Sequence, residues 1–142
     1  MKKYILSFVT ITLLLVSTNV FAGVKKNGVE KTYDKEAIVE NLKVGLTSDN
    51  YGIRVSSAYV LGQLLCCDFI AADDASETII PLLKIMKSEE TDEARIVAAL
   101  ALYQLKSDRG AMILGYAARN DDSKRFSKFS DILYREYNQN YR

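Results

Sequence analysis

Cys66 and Cys67 stand side by side, and Asp68, Asp73 and Asp74 follow shortly after. Thiolates are nucleophiles and metal ligands, and clustered carboxylates are the minimum for acid–base chemistry. The two cysteines lack the Cys-x-x-Cys spacing of metal and redox motifs. A bond between neighbours closes a strained ring that a regular helix does not hold. They are therefore expected as small buried or half-buried thiols at a helix end, with a vicinal or intermolecular disulfide as the alternative. Asp74 and Glu77 have the spacing of a capping box, which accounts for Asp74 without catalysis. The chain has no histidine. That removes Ser-His-Asp and Cys-His catalysis and every histidine-bearing zinc site. A glycine-rich phosphate loop and an Asp-x-Asp-x-Asp-Gly calcium loop are also lacking, so no cofactor or metal is expected. Tyr134, Tyr137 and Tyr141 crowd the end of the chain. They are expected as one packed ring and two half-exposed ones, with a carbohydrate or peptide platform as the alternative.

These groups must be held by helices, because no stretch alternates with strand period. The stretch Glu93–Leu105 is free of Gly and Pro, and from Ile96 to Tyr103 it has no polar side chain. A helix apolar on all sides must be wrapped by others. Before it, Asp34 caps a first helix with Ile38, Leu42 and Leu46 on one face. Asn50 caps a second helix reaching about Cys66, whose Gly62 signals the close passage of another helix. Asp74 caps a third, running to about Lys87, and Pro81 inside it predicts a kink. After the central helix, capped by Thr91 or Asp92, Asp108 begins a fifth. Asn120-Asp121-Asp122 begins a sixth, with Phe126, Phe129, Leu133 and Tyr137 inward and Lys124, Lys128, Asp131 and Arg135 outward. The fold class is all-α, and its one-sided outer helices read as the ends of a complete array.

The first residues have another purpose. Lys2 and Lys3 precede an apolar run from Tyr4 to Val16, and Val20-Phe21-Ala22 offers small residues at the −3 and −1 positions. This is the pattern of a signal peptide over residues 1–22, cleaved after Ala22. An uncleaved anchor is the alternative, although the run is shorter than the ~20 residues of a membrane span. Residues 23–33 read as a flexible mature N-terminus and 34–142 as one domain. Secretion or periplasmic export follows, with no stable membrane insertion after cleavage. Loss of Lys2 and Lys3 turns the formal charge of +1 into −1, so no basic face is expected for nucleic acid or anionic lipid.

The second and fourth helices superimpose in sequence. Ile53-Arg54-Val55-Ser56-Ser57-Ala58-Tyr59-Val60-Leu61-Gly62-Gln63-Leu64 matches Ala94 through Leu105 at an offset of 41 residues, and Arg125 begins a weaker third copy. Repeats of about 40–47 residues are typical of stacked helical hairpins. Ile53–Gly62 and Ala94–Tyr103 resemble the HEAT-repeat pattern V-R-x-x-A-A-x-A-L-G, with Tyr103 at the place of the glycine, and Pro81 is similar to the proline in the first helix of many members. The chain is most similar to short secreted bacterial members of that family.

The resemblance implies an α-solenoid segment of about three hairpins. It also implies that acids in the turns tie the helix-start arginines: Asp49 to Arg54, Glu89 or Glu90 to Arg95, and Asp121 to Arg125. An anion-binding row is the alternative for those arginines. The variable positions of the pattern tend to face the concave side of such solenoids. Here those residues are Val55, Ser56, Tyr59 and Gln63 in one unit and Ile96, Val97, Leu100 and Gln104 in the next. They form a candidate protein-binding face; packing between neighbouring second helices is the alternative. The expected function is non-catalytic protein–protein interaction. An enzyme or lyase-like chaperone holding a small ligand in the concave face is the second reading.

Overall fold

The structure is a computed structural model in which residues 33–141 are described. The expected signal peptide, its expected cleavage point and residues 23–32 of the expected mature N-terminus lie outside them. The described residues form six α-helices and one 3-10 turn, with no strand among them. The helices are α1 (Lys35–Leu46), α2 (Tyr51–Cys66), α3 (Ile79–Ser88), α4 (Asp92–Gln104), α5 (Asp108–Asn120) and α6 (Lys124–Tyr141). None of them is long and apolar enough to cross a membrane.

Short polar residues start most of these helices by accepting from otherwise orphaned amides. Asp34 accepts from the Ala37 amide at 3.0 Å, Asn50 from Ile53 at 3.2 Å and Thr91 from Ala94 at 3.4 Å. α5 begins at Asp108 as expected, whereas α6 begins later than expected, at Lys124. Ser107 caps α5, accepting from Gly110 at 3.3 Å. Ser123 caps α6, accepting from Phe126 at 3.2 Å. A serine hydroxyl competes well for this position, and the neighbouring acids take longer-range partners, Asp108 accepting from Tyr137 and Asp121 from Arg95.

The third helix departs further. The Asp74–Glu77 capping box does not form; the chain makes a 3-10 turn at Ser76–Thr78 with no side-chain cap, and α3 begins only at Ile79. Glu77 instead pairs with Lys43 of α1 at 2.6 Å. Pro81 therefore occupies the first turn of α3 and not its middle. There its missing N–H is one the helix leaves unpaired anyway, so the expected mid-helix kink is not required.

α4 is the hub. It touches α2, α3, α5 and α6, while α1 pairs with α2 and α5 with α6. Its Ala94, Ala98, Ala99, Ala101 and Leu102 are buried. Small side chains let neighbours approach closely: a Cβ added to Gly62 of α2 would lie 3.5 Å from the Cα of Ala101. The expected wrapping is nevertheless incomplete, since Leu100 is 40% exposed. Helices meet α4 along its alanine-rich sides and leave one stripe uncovered. Around it, Leu61, Leu65, Leu82, Ile85, Leu114 and Phe126 complete the core. α2 and α4 also end alike, each followed by a residue in the left-handed region, Asp68 (φ 53°) and Lys106 (φ 49°). Neither is glycine, so each costs on the order of 1 kcal/mol, and the two side chains approach to 3.8 Å.

Candidate functional site

The three arginine expectations are corrected by one geometric fact: each arginine pairs with an acid on, or at the end of, a helix other than its own and away from the turn before it. Arg54 holds Glu89 at 2.7 Å rather than the Asp49 carboxylate, while its Nη1 donates to the Ser48 and Asp49 carbonyls at 2.8 and 2.9 Å. Arg95 pairs with Asp121, not Glu89 or Glu90, and its Nε donates to the Met86 carbonyl at 2.8 Å. Its guanidinium also lies 4.0 Å from the Phe126 ring centre. Arg125 turns back to Glu93 and leaves Asp121 to Arg95. A backbone carbonyl serves Arg54 where the nearby acid was expected to. The long side chains can then span the gap to the next helix pair. With their donors so occupied, Arg54 ties α2 to the end of α3, and Arg95 ties α4 to the end of α5. Glu93 is held below the ordinary carboxylate range, first by a backbone hydrogen bond and then by Arg125.

The cysteines are also corrected. Both are exposed and neither is in a disulfide. Cys67 is the C-cap residue of α2, where the chain leaves the helix and the core no longer covers it. The tyrosines behave as expected: Tyr137 is buried, Tyr134 half-buried and Tyr141 exposed. Tyr141 stands edge-on to Tyr103 at 6.5 Å. Burial raises the phenol pKa of Tyr103.

Asp73 and Asp74 come together with Glu36, Glu40 and Glu77 along an open cleft of about 580 Å³ beside α1. Asp68 is drawn away toward Lys106. Within the cleft, Lys43 pushes the Glu77 carboxyl below its usual range. That direction suits an ion pair rather than a general acid, which needs a raised pKa.

The candidate face on α2 and α4 is divided by the fold. Tyr59, Gln63, Val97, Leu100 and Gln104 line one depression of about 90 Å³, together with Ala58, Gly62 and Cys66. Tyr59 is 56% exposed and Leu100 40%. Val55 and Ile96 are half-buried outside that lining, and Ile96 and Val97 pack against the core. Ser56 is exposed but also lies outside the depression. Cys66 was not expected in this lining, although it falls seven residues after Tyr59, two helical turns along the same stripe. No family model matches this chain, and comparison with curated proteins and with solved structures finds no match.

Proposed function

We propose that the domain is a HEAT-like α-solenoid segment of three stacked hairpins, α1–α2, α3–α4 and α5–α6, that binds another protein through the face shared by α2 and α4. One observation carries the reading. Tyr59 and Leu100 occupy equivalent positions 41 residues apart, sit on adjacent helices and are both substantially exposed. Exposed apolar side chains that are contiguous across elements mark interaction sites more often than isolated ones do. The depression between them, about 90 Å³, is well below the roughly 300 Å³ at which small-molecule pockets begin. A small depression lined by apolar side chains together with Gln63 and Gln104 suits a protein surface. The arginine ties between hairpins support the stacked arrangement, as does the common way α2 and α4 end. The leader-like pattern of residues 1–22 supports an encounter in the periplasm or outside the cell.

The test is affinity capture from an envelope fraction with mass spectrometry, followed by Tyr59→Ala and Leu100→Ser. Each should weaken capture tenfold or more, about 1.4 kcal/mol, with little change in melting temperature. If both variants unfold, or if their folded fraction binds as before, these side chains belong to the core and the binding face is refuted. Saturable binding of a small ligand in place of a protein would favour the second reading.

A further inference from the structure

Arg54, Arg95, Arg125 and Arg135 each hold a carboxylate. Arg109 and Arg119 of α5 hold none among the described residues, and both line one cleft of about 300 Å³ between α5 and α6, with Asp108, Met112 and Tyr134. The floor of the cleft is built by a close approach at Gly115. A Cβ there would meet the Tyr134 ring at 2.8 Å, so the ring lies against bare backbone. Arg119 is set over that ring, 5.9 Å from its centre. A ring face attracts a guanidinium through its quadrupole but carries no net charge to neutralise it. Arg119 is thus positioned with its charge uncompensated, and its fork of N–H groups matches a carboxylate. α4 shows the same arrangement completed: Arg95 lies 4.0 Å from the Phe126 ring centre and also pairs with Asp121. At Arg119 no acid of the described residues plays that part. Asp108, the acid of the lining, accepts from the Tyr137 hydroxyl at 3.2 Å, which leaves two cations in the cleft against one anion.

We propose that this cleft takes an acidic peptide segment of a partner protein, with one carboxylate on Arg119 and a second on Arg109. Spacing favours a chain over a single small anion. The two arginines lie ten positions apart on α5, a rise of about 15 Å, which one carboxylate or phosphate group does not span. An extended segment advances about 3.3 Å per residue, so acids roughly four residues apart reach both. Exposure points the same way. Arg109, Met112 and Arg119 are exposed, whereas a small-molecule site encloses most of its ligand. Met112, 65% exposed, offers the segment an apolar contact between the two charges. The cleft shares no residue with the depression on α2 and α4, so either site can fail without the other.

The test is fluorescence anisotropy of a rhodamine-labelled hexaglutamate peptide, about 20 Å long when extended, titrated with the purified protein at low ionic strength. Binding should saturate, and it should weaken as added salt screens the charges. Arg109→Gln and Arg119→Gln should each raise the dissociation constant about fivefold or more, near 1 kcal/mol, with unchanged helical circular dichroism. Asp108→Asn, which removes the acid of the lining, should lower it. Lys128→Gln, an equal change of charge on the exposed face of α6, should leave it within about twofold. No saturable binding, no loss in the arginine variants, or an equal loss in Lys128→Gln would overturn the proposal. Displacement of the peptide by an equal concentration of inorganic phosphate would overturn it too, since the cleft would then be a site for free anions.

Discussion

At the scale of single residues, the two buried polar side chains of the described residues, Thr78 and Ser130, differ in whether their hydroxyls are satisfied. Thr78 is fully buried and its hydroxyl donates to the Ala75 carbonyl at 2.6 Å. Ser130, fully buried in α6, is the exception, since its hydroxyl has no partner among the described residues. A buried hydroxyl that has lost its water without gaining a partner costs about 1–3 kcal/mol. Ser130→Ala removes that cost and improves helix propensity, so it should raise stability by about 1 kcal/mol. The midpoint of urea unfolding measures it. A fall in the midpoint would mean that the hydroxyl is bonded in solution. The arginines show the opposite economy, in which one guanidinium closes a turn or helix end and also spans to another helix pair. Arg54 does this with two carbonyls and Glu89, whose side chain is only 8% exposed.

At the scale of elements, α4 depends on its alanines and α6 on the contrast between its two faces. Ala99 is fully buried, whereas Lys128 of α6 is exposed. An aspartate at position 99 would bury a charge with no partner, which costs several kcal/mol. Ala99→Asp should therefore unfold the domain or lower its stability by more than about 3 kcal/mol. Lys128→Ala should change it by less than about 0.5 kcal/mol. Thermal melts of the two variants decide between this layout and one in which α4 lies at the surface; equal shifts would contradict it. The glycines of neighbouring elements differ in the same physical way. A methyl on Gly62 would make ordinary contact with Ala101, but one on Gly115 of α5 would come within 2.8 Å of the Tyr134 ring.

For the whole molecule, stability should be graded outward from the hub. α4 meets four of the other five helices, while the described contacts of α1 are with α2, α3 and the 3-10 turn. Amides of central elements exchange only when the whole domain opens, and those of peripheral elements exchange by local fraying. Hydrogen exchange should thus be slowest in the middle of α4, around Ala98–Leu102, and at least tenfold faster in the first turns of α1. Uniform protection across the six helices would show instead that they open together.

The sequence by itself determined the helices, most of their starts and the pairing of α2 with α4. Those features depend on local chemistry: apolar residues at helical spacing, short polar caps, and the matched stretches from Ile53 and from Ala94. It also identified Tyr59 and Leu100 as equivalent positions on those helices. Only the tertiary structure decided which residues share a surface. Ser56 and Tyr59 are three residues apart and both exposed, yet Tyr59 lines the depression and Ser56 lies outside it. The spacing of an apolar residue does not say whether a neighbour reaches it, so Leu100 and Ala101, adjacent in the chain, end exposed and sealed. Charge partners escaped for a related reason. A long arginine reaches any acid within its radius, and stacking brought Glu89 and Asp121 inside that radius ahead of the acids expected to pair with Arg54 and Arg95. Competition decided α3 as well: once Lys43 of α1 stood within reach, Glu77 bonded to it, and no capping box formed.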